Sequence, residues 1–163
     1  MVLPVSPPDA KTFDKMIGEL NRVGGEPRAT AIITHLYIEY LMDSILRKTI
    51  PKPDKVIRKL GFASKLELIE SLQVLSDEIM HELSIVNEVR NQFAHRIDME
   101  SKEFQEDFKG KVHRMNYYND NARRFEGMEN YQIYYMIMPR VYAILKGEYD
   151  QLQTPKVNTD KKN

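Results

Sequence analysis

The stretch "SIVNEVRNQFAHRID", residues 84–98, decides the reading of this chain. It closes a segment that begins near Ser76 or Asp77 and carries Ile79, Leu83, Val86, Phe93 and Ile97 on one helical stripe. At about 100° per residue, Arg90 falls within about 20° of the line through Ile79 and Ile97, in the middle of that stripe. A buried, unpaired guanidinium is prohibitively costly, so Arg90 must reach an acidic partner, a subunit boundary or an anionic ligand. Asn91 and His95, at i and i+4, share a neighbouring face. The same geometry turns Arg90 and His95 roughly 140° apart on a straight helix. Distortion of the helix end, or a two-fold axis beside it, is needed to focus both on one atom. The plainer alternative makes Arg90 a structural ion-pair partner and His95 a surface or capping histidine.

Outward from this segment, the periodicity predicts helices only. Asp9 caps a short first helix with Phe13, Ile17 and Leu20 on one face, stopped by Gly24-Gly25. "RATAIITHLYIEYLMDSILRK" follows Pro27 with apolar residues around most of its circumference, which predicts a central buried helix ended by Pro51 and Pro53. "DKVIRKLGF" reads as a short helix closed by Gly61, and Ser64 as the cap of a helix through Leu75. Beyond residue 100 a polar helix over Glu103–Met115 and a loop at "NDNARRFEG" precede an aromatic-rich helix, "NYQIYYMIMPRVYAILKGEYDQL", which Pro139 kinks. Residues 1–150 therefore read as a single all-α domain, a helical bundle with a C-terminal helical extension. Residues 151–163, "QLQTPKVNTDKKN", read as a disordered tail.

Composition narrows the function classes. The chain has 163 residues, 42% of them hydrophobic and 29% charged, which suits one globular domain. Lysine plus arginine balance aspartate plus glutamate at 24 each, so any nucleic-acid contact must come from a local cluster. The absence of cysteine removes disulfides, thiolate metal sites and cysteine nucleophiles, and fits a reducing, cytoplasmic setting. No signal peptide or membrane span is expected, because no run of about 18 apolar residues occurs. The four histidines lack close ligand spacing, so neither a metal nor a cofactor is expected. No turn is followed by a basic recognition helix, which argues against direct DNA binding.

"RNQFAH", residues 90–95, resembles the R-x4-H signature of the HEPN superfamily, in its common form with Asn after Arg. The helix order over residues 28–98 is similar to the mannitol operon repressor branch of that group. The resemblance implies an all-helical HEPN-like domain that dimerises at the motif helices, and in many members a metal-independent endoribonuclease. Under it, Arg90, Asn91 and His95 form the catalytic set. His95 acts as general acid or base on the 2′-hydroxyl or leaving oxygen, Arg90 stabilises the phosphorane, and Asn91 holds the phosphate or orients a neighbour. The product carries a 2′,3′-cyclic phosphate.

The expected partners are a second copy, RNA, and an antitoxin or regulatory protein. The alternative is a non-catalytic regulator or interaction module. His95 is followed by Arg96-Ile97 and not by the H-x-Y extension common in toxin members, which weakens a toxin assignment.

His35, Glu39 and Asp43, at i, i+4 and i+8, form a polar ridge on the central helix. Related domains often bring an acid from this helix toward the motif, which makes Glu39 the first and Asp43 the second supporting acid for Arg90. The competing reading pairs these acids with Arg28 or Arg47. "FKGKVHR", residues 108–114, and Arg123-Arg124 read as solvated basic faces, and Tyr131, Tyr134, Tyr135 and Tyr142 as packing.

Overall fold

Local sequence signals start most of the helices. The computed structural model describes residues 7–152. Helix α1 (Ala10–Arg22) opens with a reciprocal capping box, in which the Asp9 carboxylate accepts from the Thr12 N–H at 3.0 Å. Gly24 and Gly25 then turn the chain with φ of 61° and 78°, a left-handed conformation that glycine adopts without Cβ strain. Glu26 caps α2 (Pro27–Thr49) through the N–H groups of Arg28 and Ala29, and Pro27 occupies the first turn, where no N–H is missed.

Helix α2 is buried on most sides, as its all-round apolar pattern demands, and contacts α1, α4, α5 and α8. Helix α3 is a single turn (Asp54–Ile57). Gly61 does not close it; an extended backbone (φ −78°, ψ 173°) makes Gly61 the N-cap of α4 (Phe62–Leu72). Ser64, expected as that cap, lies inside the first turn. Starting α4 early buries Phe62 against His35, with ring centroids 4.2 Å apart, and this packing outweighs the weaker capping signal. The helix stops at Gln73, in the left-handed region, before the expected Leu75.

Ser76 caps α5 (Asp77–His95), and Ser101 caps α6 (Lys102–Arg114). Where an open loop was expected, α7 (Asn116–Asp120) and a 3-10 turn (Ala122–Phe125) bury Phe125. Pro139 lies within α8 (Asn130–Gln151) without ending it. Of the expected tail, Gln151 still belongs to α8, Leu152 caps it, and 153–163 lie outside the described residues.

All described elements except α7 contribute to one continuous apolar cluster of buried residues. Phe93 on α5 meets Phe104 and Phe108 of α6 edge-on at 5.0 and 5.1 Å, and Phe108 meets Tyr134 of α8 at 5.9 Å. Tyr142 is buried too, and Tyr135 donates to Asn21 Oδ1 at 2.8 Å. Tyr131, by contrast, is exposed, so it does not pack as expected. No described helix is long and apolar enough to cross a membrane.

One polar contact fixes α4 on α2. The Lys65 ammonium, almost fully buried, sits 2.8 Å from Glu39 Oε1 and 2.7 Å from Asp43 Oδ1. Burial opposes the charge on Lys65, yet its hydrogen bonds to Asp43 and Glu39 outweigh that and hold its pKa above the ordinary value. Replacing Lys65 by Met should cost roughly 1 to 3 kcal/mol at pH 7, because two carboxylates are left facing each other unpaired. Burial already holds the Asp43 pKa above its ordinary value, and losing the ammonium raises it further. The cost should therefore shrink in urea unfolding as pH falls and Asp43 takes up its proton. A loss independent of pH would show that only the packing of the lysine stem matters.

Candidate functional site

Arg90 does not occupy the middle of the buried face of α5. That face is broader than the stripe read from the sequence. Val86, Val89 and Phe93 lie near its centre, with Ile85 and Gln92 extending it away from Arg90. Ile97, counted in the stripe, is 92% exposed. The reason is local: Arg96 adopts an extended backbone and ends the helix at His95. The Arg96 guanidinium then grips Asp98 at 2.6 and 3.0 Å, and Asp98 accepts from the Ser101 hydroxyl, so the chain turns toward α6. Arg90 is left half-buried on the flank of α5.

The expected carboxylate partner for Arg90 is not there. Glu39 and Asp43 are both committed to Lys65, and no ion pair joins Arg90 to an acid among the described residues. The alternative partners of that ridge are engaged as well: Arg47 faces Asp54 at 3.5 Å, and Arg28 donates to the Arg96 carbonyl at 2.8 Å. The Arg90 guanidinium donates to the side-chain oxygen of neighbouring Asn91 at 3.1 Å.

Arg90 and Asn91 line a cleft of about 380 Å³ between α2, the start of α4 and α5. From α2 come His35 and Glu39; from α4 come Phe62, Ala63 and Ser64; Asn87 of α5 lies between the two. His35 is only 6% exposed. Burial pushes its pKa down to about 4; Glu39 and a hydrogen bond with the Asn87 side chain pull the other way, and Arg90 adds to the depression. The imidazole is thus neutral at pH 7, and its Nε2 has no hydrogen-bond partner.

His95 stands outside this cleft, exposed at the last position of α5, one turn beyond Asn91. The sequence-derived set is therefore divided. Arg90, Asn91 and Glu39 meet in the cleft, Asp43 lies behind it on Lys65, and His95 faces solvent. His35 and the first turn of α4 are the residues that sequence reasoning left out of the site. Their signal was the Gly61-Phe62 junction, where a glycine taken as a stop is a start.

Two cations of the 108–114 cluster are paired with acids. Lys111 pairs with Asp107 and Arg114 with Glu88. Among the described residues, no three His, Asp or Glu side chains are grouped to hold a metal ion. No family model matches the chain, and no curated protein or solved structure matches it.

The buried imidazole makes stability depend on pH in a definite direction. The folded pKa of His35, about 4, lies below its ordinary 6.5, so its contribution is complete above pH 6.5 and is lost as pH falls toward 4. In that window the wild type should lose up to about 1.4 kcal/mol per pH unit more than His35→Leu in parallel urea titrations. Equal slopes for the two proteins would mean that His35 is readily protonated in the folded state.

Proposed function

We propose that the protein is a HEPN-like endoribonuclease that cleaves RNA without a metal ion, using Arg90, Asn91 and His95. The observation that carries this reading is the uncommitted charge of Arg90. Lys65 takes both nearby acids of α2, so a half-buried guanidinium faces a cleft whose one lining carboxylate, Glu39, is paired with Lys65 and not with it. Such a group is suited to phosphate oxygens, which its planar fork can bind in a bidentate manner. His95, exposed and beyond the cleft, supplies the proton transfers. It takes the proton of a ribose 2′-hydroxyl, whose oxygen attacks the adjacent phosphorus. The 5′-oxygen leaves and is protonated, giving a 2′,3′-cyclic phosphate and a 5′-hydroxyl end.

Because Arg90 and His95 diverge by roughly 140° on α5, the arrangement calls for two copies, the Arg90 of one beside the His95 of the other. Light scattering at micromolar concentration should give a dimer. A strict monomer would remove the composite site.

Purified protein should cut total RNA in EDTA. His95→Ala should abolish cleavage and change stability by no more than about 0.5 kcal/mol, since the side chain is exposed. Arg90→Lys should cut poorly despite its retained charge, because the fork is lost. If folded, dimeric wild-type protein leaves diverse RNAs intact, the ribonuclease reading fails. The Asn91–His95 turn is then a contact surface of a regulator.

A further inference from the structure

The cleft holds a second feature that the R-x4-H pattern does not include. Helix α4 is 11 residues long, and its N-cap, Gly61, has no side chain to satisfy the first turn. The N–H groups of Phe62, Ala63 and Ser64 have no acceptor among the described residues, and all three residues line the cleft. A helix N-terminus concentrates free donors and the positive end of the backbone dipole, which together favour an anion. Two further groups face the same space. One is Arg90, with no carboxylate partner. The other is His35, nine-tenths buried and lining the cleft, with Nε2 unpartnered and the Asn87 side chain beside its ring. The only carboxylate lining the cleft, Glu39, is paired with Lys65 at 2.8 Å, an ammonium it shares with Asp43.

We propose that this cleft is a phosphate-binding site within a single subunit. The N–H groups of Phe62, Ala63 and Ser64 and the Arg90 guanidinium hold the phosphate of a nucleotide or of RNA, and His35 Nε2 hydrogen-bonds the group attached to it. Asn87 and Asn91 supply neutral amides at the rim. The inference rests on the ribonuclease reading for the class of substrate and deepens it. It places the phosphate at the start of α4, where the motif residues alone would not put it.

Calorimetric titration of the full chain with inorganic phosphate tests the site directly. Phosphate should bind saturably, one per chain. Ser64→Asp should weaken it roughly tenfold or more while the melting temperature holds or rises, because an acid in the first turn suits the helix and fills the anion site. Ser64→Ala should bind as the wild type does, since only the backbone N–H is used. Arg90→Ala should weaken binding by a similar factor.

Competition identifies the source. Displacement by adenosine monophosphate, but not by a short RNA without terminal phosphate, assigns a phosphomonoester, and the reverse assigns the phosphodiester. Absence of phosphate binding, or undiminished binding by Ser64→Asp, overturns the proposal. The two readings fail separately. RNA cleavage lost in His95→Ala but untouched in Ser64→Asp, with no phosphate bound, sinks this site alone. Phosphate binding lost in Ser64→Asp, in a protein that cuts no RNA, sinks the ribonuclease alone.

Discussion

The buried ammonium of Lys65 between Glu39 and Asp43 organises both the fold and the charge of the cleft. It joins α4 to α2 through two ion pairs, beside the stacking of Phe62 on His35. The start of α4 lies there between α2 and α5, where the cleft opens. The Lys65 ammonium also decides which cation stays without an acid. Two carboxylates on α2 and two cations, Lys65 and Arg90, lie near one another. Lys65, the more deeply buried of the two, holds both acids. Asp43 shows the tension in this arrangement: burial raises its pKa, and the hydrogen bond and charge of Lys65 offset only part of that rise.

Around this point the core is built by α2, with α5 and α8 as its principal neighbours. The chain after residue 100 belongs to that core. Phe104 and Phe108 sandwich Phe93 edge-on, and the Tyr134 ring extends the cluster to α8. Helix α5 is therefore held on two sides, by α2 through Val86 and its neighbours and by α6 through Phe93. The flank that carries Arg90 and Asn91 lies beside these packed faces.

The long helices are legible from their apolar spacing, and α1 also from its cap, Asp9. Ser76 and Ser101 cap α5 and α6 in the structure. Two kinds of error arose where a local signal competed with a distant one. Ser64 is a better intrinsic cap than Gly61, but burial of Phe62 on His35 lies outside any local window. Ile97 continues the spacing of α5, but the fork of Arg96 on Asp98 ends the helix two residues earlier. The site was half legible. Arg90 and Asn91 do line a cleft with Glu39, because all lie on strongly periodic helices. Lys65 was invisible as a partner, since sequence cannot show which lysine on a neighbouring helix reaches an acid first. The same ignorance hid the burial of His35 in the cleft wall.

The end of α5 bears on how His95 can act. Two routes can bring it toward Arg90: distortion of the last helical turn, or a second copy. Here the turn is clamped. The Arg96 N–H bonds the Gln92 carbonyl at 3.1 Å, Arg28 at the start of α2 donates to the Arg96 carbonyl at 2.8 Å, and Asp98 ties Arg96 to Ser101. Gln92 is itself buried and donates to the Phe104 carbonyl at 2.9 Å. Unwinding the turn would break several of these bonds together, each worth roughly 0.5 to 1.5 kcal/mol, and would expose the amide of Gln92. Rotating His95 toward its own Arg90 is therefore the costlier route. Docking a second copy leaves every one of these bonds in place, so under the proposed ribonuclease reading the clamp favours a site shared between two subunits over one built within a single chain.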